Sequence, residues 1–181
     1  LYFHGQGVPK DEAEAFKYCA AAAEQDYADA QFRLGCLYGK QKNYEAEFIW
    51  LNRAAKNRNK KALCMLARLY DGGIGTDKDE NKALKWYTKA AFSGDVDAAF
   101  ALGKKALTMQ YNDENYIFML AWLLQAAQQG HTDAQFNLGY MYNLGKGIVK
   151  DATKAVYWYT LAAQKGCVAS QFNLGSLYLK G

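Results

Sequence analysis

Proline is nearly absent from this chain: Pro9 is the only one among 181 residues. With so few helix breakers, almost uninterrupted helix is allowed. Alternating β-branched runs between turn residues are missing too, so no segment of the sequence reads as a strand. No apolar run approaches the roughly 18 residues of a membrane span, and no signal peptide is visible. Blocks of five or six like charges are absent and the net charge is only +4, which argues against a nucleic-acid binder or a disordered charged arm. There are two histidines, His4 and His131, far apart in the chain. They form no metal or catalytic pair, and the carboxylates fall at helix starts and on exposed faces rather than in facing pairs. Catalytic residues, metal ligands and cofactors are therefore expected to be none.

Alanine and aromatic residues supply what is there. YCAAAAE, WLNRAAK, WYTKAA, WLLQAAQ and WYTLAA set good helix formers behind an aromatic, and the chain reads as all-α. Stacking similar segments exposes a repeat. ADAQFRLGCLY, KKALCMLARLY, VDAAFALGKKA, TDAQFNLGYMY and VASQFNLGSLY place Leu34, Leu66, Leu102, Leu138 and Leu174 in one register, with steps of 32, 36, 36 and 36 residues. Gly35, Ala67, Gly103, Gly139 and Gly175 follow directly, and Tyr38, Tyr70, Ala106, Tyr142 and Tyr178 come four residues after each leucine. The opening LYFHGQGVPKD aligns with MYNLGKGIVKD, Tyr2 on Tyr142 and Asp11 on Asp151. The chain thus reads as beginning and ending inside a repeat.

Each copy predicts two helices. In the first, Ala134, Leu138 and Tyr142 make one buried stripe, with Gly139 letting a neighbouring helix approach. In the second, Asp151 caps the start, Ala155, Trp158, Tyr159, Ala162 and Ala163 provide the packing face, and Gly166 ends it. Asp79, Ala83, Trp86, Tyr87, Ala90, Ala91 and Gly94 repeat that pattern. A helix pair this short cannot bury its own apolar face, so copies must stack. The glycines Gly72, Gly73 and Gly75, and likewise Gly145 and Gly147, read as helix-connecting turns. A phosphate loop would need a preceding strand and a lysine followed by a hydroxyl residue.

The segment DAQFNLGYMYNLGKGIVKDATKAVYWYTLAAQKGC resembles one full unit of the Sel1-like repeat family, relatives of the tetratricopeptide repeats. The resemblance spans essentially the whole chain. It implies a right-handed α-α superhelix: a partial repeat at 1–26, a short repeat at 27–58, a repeat at 59–94, a divergent repeat at 95–130, a repeat at 131–166 and a partial repeat at 167–181. Two copies depart from the pattern. That from Asp29 to Arg58 lacks the Gly-x-Gly loop and is four residues short; that from Asp97 to Gly130 carries TMQYNDEN instead, with Ala106 in place of tyrosine.

In the cysteine-rich branch of the family each repeat carries its own disulfide, whereas Cys19, Cys36, Cys64 and Cys167 do not recur at the repeat period. Cys64 stands where Phe136 does and reads as a buried apolar residue. Cys19 and Cys36 flank the turn near Tyr27 and sit level on adjacent helices in this reading, leaving a bond between them open.

The surface that remains is the stripe of the first helices opposite the packing residues. It collects Arg33 and Cys36, then Arg68, Lys104, Asn137 and Tyr140, and finally Asn173, and is basic early and neutral late. Arg33, Arg68 and Lys104 suit carboxylates, Asn137 and Asn173 suit backbone amides, and Tyr140 offers an apolar anchor. The expectation is a noncatalytic scaffold that binds a protein or peptide of acidic character on its concave face, with no nucleic acid partner and no membrane insertion. The resemblance implies adaptor roles, in bacteria in envelope, signalling or host-contact processes and often in exported proteins. It also implies the competing reading, an enzyme on cell-wall or β-lactam-type substrates. Exposed packing faces at the ends predict self-association through Tyr178, Leu174 or Tyr2.

Overall fold

The structure is a computed structural model, and it describes residues 12–107 and 116–180. Tyr2, His4 and Asp11 therefore lie outside the described residues. Within that range the chain forms ten α-helices and no strand. Two compact units divide it, Leu1–Ser93 and Gly94–Gly181.

The first unit holds α1 (Glu12–Glu24), α2 (Ala28–Lys40), α3 (Tyr44–Lys56), α4 (Lys60–Gly72) and α5 (Glu80–Phe92), each packed on the next. The second holds α6 (Val96–Lys104), a 3-10 turn at Lys105–Leu107, α7 (Tyr116–Gln128), α8 (Thr132–Leu144), α9 (Ala152–Gln164) and α10 (Val168–Lys180). There too neighbours in sequence pack together, α6 on α7, α8 on α9 and α9 on α10. The even-numbered helices carry the Leu-Gly register and are called A helices below; the odd-numbered ones are B helices. This is the all-α helical-repeat fold of the solenoid class.

The register leucines form the core: Leu34, Leu66, Leu102 and Leu138 are all 1% exposed or less. Beside them the small residue has a geometric reason. A Cβ on Gly139 would lie 2.6 Å from the Tyr159 ring, and one on Gly103 would lie 2.4 Å from the Leu123 backbone nitrogen. Contacts that short are forbidden, so glycine sets how closely α9 approaches α8 and α7 approaches α6.

One side chain after another caps the helices. Asn43, Asn59, Asp79, Asp95 and Asp151 each accept a hydrogen bond from the backbone N–H three residues on, as expected for Asp79 and Asp151. The caps of α5 and α9 share a further device. Lys82 pairs with Asp79 and lies over the Tyr70 ring at 5.4 Å, and Lys154 pairs with Asp151 and lies over Tyr142 at 5.3 Å. The tyrosine of the repeat signature thus packs on one face and receives a cation on another.

Gly73 and Gly145 close α4 and α8 in the left-handed region, at φ of 64° and 70°. Gly75 and Gly147, two residues on, are also left-handed and lie against the start of the preceding B helix. A Cβ would fall 2.0 Å from the Tyr44 carbonyl oxygen or the Tyr116 hydroxyl. The Gly-x-Gly loop is a turn that also seats one repeat on the last. In the divergent copy α6 has only nine residues against thirteen in every other helix.

Candidate protein-binding surface

In the first unit Arg33 on α2 and Arg68 on α4 are both exposed. They stand one helical turn either side of a contact between the Cys36 and Met65 sulfurs, 3.9 Å apart. That contact joins the outward faces of two A helices, and the two guanidinium groups extend the same strip in opposite directions along it.

Elsewhere the expected residues separate into different environments. Lys104 ends α6 and is exposed. On α8, Tyr140 is exposed and its ring lies 6.5 Å from Phe136, while Asn137 is half-buried. Asn173 on α10 is also half-buried and turns toward the buried Tyr159 hydroxyl, as does Asn143. Neither amide completes a hydrogen bond to that hydroxyl. Burial raises the Tyr159 pKa, and the two amides partly offset the rise. Asn143 and Asn173 also line an open cleft of about 560 Å³ with Lys150, Thr153, Ser176 and Tyr178.

His131 fills a structural place. Its Nδ1 accepts the Ala134 N–H at the start of α8, its Nε2 is 3.7 Å from Asp97, and its ring stacks on Phe100 at 4.1 Å. Among the described residues no group of three or more His, Cys, Asp and Glu side chains is arranged to hold a metal ion. All four cysteines are free thiols, so Cys19 and Cys36 are not bonded to each other. Burial pushes both of those thiols up, and Glu47 adds to the effect at Cys36. Glu47 is itself buried, and that burial raises its carboxyl above the usual range.

Sequence reasoning gave no role to the glutamine of the Ala-Gln-Phe segments. Gln31 and Gln135 are buried and donate from Nε2 to the Ala23 and Ala127 carbonyls, near the end of the preceding B helix. Gln171 does the same with Ala163 at 3.3 Å. Its recurrence in DAQF, DAQF and ASQF was the available signal; the carbonyl it reaches already accepts one backbone N–H in the turn, and the glutamine adds a second donor that ties the A helix to the end of the preceding B helix.

Comparison with known proteins bears on the repeat itself. The Sel1 repeat family matches residues 1–27, 28–59, 60–95, 120–131, 132–167 and 168–181. Among curated proteins, chitin synthase regulatory factor 3 of Schizosaccharomyces pombe is 32% identical over 114 residues, which are 59% of this chain and 12% of that protein. The chitin synthase regulator SKT5 of Saccharomyces cerevisiae is 35% identical over 94 residues, 49% of this chain and 13% of that protein. The chain therefore spans about an eighth of the length of these relatives. Among solved structures, a protective antigen of uropathogenic Escherichia coli with an SLR fold superposes with a TM-score of 0.90 at 28% identity, covering 97% of this chain and 38% of that one. A Sel1 repeat protein from Oxalobacter formigenes gives 0.82 at 35% identity, covering 98% and 74%. These similarities reach both fungal and bacterial proteins, so the expected bacterial setting is not singled out.

Proposed function

The chain belongs to the Sel1 repeat family, and on that premise we propose that it is a noncatalytic scaffold that binds a partner protein or peptide through the outward strip of its A helices. Sel1 repeat proteins generally mediate protein–protein interaction. The carrying observation is a division of labour within one helix register. Leu34 and Leu66 are buried in the stack, while Arg33 and Arg68 beside them in sequence are exposed across the Cys36–Met65 contact. Packing therefore turns these two arginines to the surface. Guanidinium groups in that position suit carboxylates on a partner, and Lys104, Asn137, Tyr140 and Asn173 hold the corresponding register positions on the A helices of the second unit. The fungal relatives are named as regulators of another enzyme, which supports a binding role in regulation for this chain as well.

The test is a pull-down with the wild type and an Arg33→Ala/Arg68→Ala/Lys104→Ala variant, both shown by circular dichroism to be folded. A protein retained by wild type and lost by the variant supports the strip. Equal retention by both removes the strip from the binding surface. Turnover of a cell-wall or β-lactam-type substrate by the purified chain would overturn the noncatalytic reading.

A further inference from the structure

A second site, separate from the A-helix strip, emerges when equivalent junctions are compared. Where a B helix ends and the next helix pair begins, the repeat brings the same positions together. Three such junctions lie inside the two units, and two of them are closed by their own side chains. At the α1/α2/α3 junction, Glu24 pairs with Arg53 at 3.4 Å, and Asn57 donates to Asp26 and to Gln31 at 3.2 and 3.0 Å. At the α7/α8/α9 junction, the Lys165 ammonium donates to the Gly130 carbonyl, and Gln135 fills the interior.

The α3/α4/α5 junction has none of these closures and opens as a cleft of about 630 Å³. By register Lys56 replaces Glu24, Leu63 replaces the buried glutamine, and Ser93 stands where Asn57 and Lys165 do. The lining carries Lys56, Arg58, Lys60 and Lys89 and no carboxylate. The α7/α8/α9 equivalents of those four are Gln128, Gly130, Thr132 and Leu161, so the fold itself does not require the cations. Leu63, Trp86 and Phe92 give the cleft an apolar part, and Phe92 is 73% exposed. Lys89 lies over the Trp86 ring at 4.4 Å, which places a positive charge directly beside that apolar surface. Arg58 adds a further sign: it is left-handed, at φ of 64°, where Gly130 stands in the other unit. A side chain is kept there although glycine suits the turn better.

We propose that the α3/α4/α5 cleft binds a short acidic peptide segment, its carboxylates held by Lys56, Arg58, Lys60 and Lys89 and one apolar side chain seated against Leu63, Trp86 and Phe92. The commitment to this occupant rests on charge complementarity: every charged residue of the lining is cationic, and Leu63, Trp86 and Phe92 place an apolar patch among them that suits one side chain.

The experiment measures fluorescence anisotropy of labelled nine-residue peptides with Asp or Glu flanking a central Leu or Phe, against counterparts carrying Lys at the acidic positions. The wild-type chain is expected to bind the acidic set at least tenfold more tightly, and more weakly at high salt. Lys56→Glu/Lys89→Glu should weaken binding at least tenfold, while Lys40→Ala/Lys146→Ala, which removes two exposed cations outside the cleft lining, leaves it unchanged. Leu63→Gln/Ser93→Lys, which installs the closing residues of the α7/α8/α9 junction, should also abolish binding with the helical circular dichroism spectrum retained. Equal affinity for acidic and lysine peptides overturns the proposal. So does full binding by the charge-reversed or closed variant, and so does loss of binding in the Lys40/Lys146 variant. A single-stranded oligonucleotide that binds the cleft more tightly than any acidic peptide also overturns it, in favour of a nucleic acid. Binding through a second copy of the chain, seen as dimerisation that the acidic peptides do not displace, does the same.

Discussion

The turns that end the B helices differ between the two units although their backbone is the same. Gly130 and Gly166 take the left-handed residue after α7 and α9 at φ of 89° and 85°, as Gly94 does after α5 at 91°; after α1 and α3, Asp26 and Arg58 take it at 61° and 64°. A non-glycine residue there costs about 1 kcal/mol, and the first unit uses the side chains it gains. Asp26 accepts from Gln31 at 2.9 Å and from Asn57, knitting α1, α2 and α3 together. Arg58 makes no such closure and lines the basic cleft. The comparison teaches that a repeat conserves a conformation while its residues are free to take separate tasks, structural in one copy and outward-facing in the next.

The largest expected effect tests the part the two units share. Gly75→Ala places a Cβ 2.0 Å from a backbone oxygen that cannot move aside, and should cost roughly 3–5 kcal/mol in urea unfolding. Gly147→Ala meets the end of the Tyr116 side chain, which has some freedom to shift, and should cost about 2 kcal/mol less. Gly94→Ala is the control: no atom lies within 4 Å of its Cβ and only the left-handed φ is offended, so about 1 kcal/mol is expected. Equal losses at all three positions would show that conformation, not close approach, selects these glycines.

Next in size is the glutamine. Gln31 donates to the Ala23 carbonyl and to Asp26 and accepts from Asn57. Gln135 makes one bond to Ala127, and its Oε1 is buried without a partner. Gln31→Leu should therefore cost about 2–3 kcal/mol and Gln135→Leu less than about 1 kcal/mol, because removing an unsatisfied acceptor offsets the lost bond. Chemical unfolding of both variants checks the order, and the reverse order would break the distinction between the units.

Replacing the left-handed residues by glycine should separate their two tasks. Arg58→Gly is expected to stabilise by about 0.5 kcal/mol, the relief of strain exceeding the entropy that glycine adds to the unfolded chain. Asp26→Gly relieves the same strain but loses the bonds to Gln31 and Asn57, and should lower the thermal midpoint. A matching rise in both variants would remove the role assigned to Asp26.

The smallest effects are those of pH. Asp79 and Asp151, one in each unit, are held below their ordinary pKa by backbone N–H groups of the helices they cap. Their contribution is present above the unfolded carboxyl range and is lost as pH falls through the depressed folded values. Glu47 in the first unit has the opposite sign. Burial raises its folded pKa, so the native state binds more protons and stability declines as pH rises from the unfolded value through the raised one. Thermal midpoints should show Glu47→Gln stabilising at neutral pH, with the gain shrinking as pH falls through the raised folded value and gone below the unfolded carboxyl range. A gain that persists unchanged in acid would mean that packing, not charge, accounts for it.

Most of the scaffold was legible because its causes are local and recurrent. Leu-Gly-x-x-Tyr spacing identifies an A-helix face, and Asp79 and Asp151 before alanine-rich runs mark B-helix starts. Cap identity was less legible. Tyr27, Asn59, Asp95, His131 and Cys167 occupy one register position with five side chains, and only geometry shows that Asn59 and His131 both accept a helix N–H while Tyr27 does not. The outward strip was legible as a stripe on a helix. Its partition was not, since the half-burial of Asn137 and Asn173 depends on α8, α9 and α10 packing together.

The sequence by itself determined the all-α class, the helix pairing and the repeat register, because each follows from apolar spacing, capping and glycine within some 36 residues. Tertiary structure alone decided which junctions close. Whether a cleft exists beside Trp86 depends on charges and amides that arrive from three helices, and on whether Leu63 or a glutamine stands between them. Those residues are separated by up to 38 positions, from Ala55 to Ser93, and no local pattern carries the outcome of their meeting.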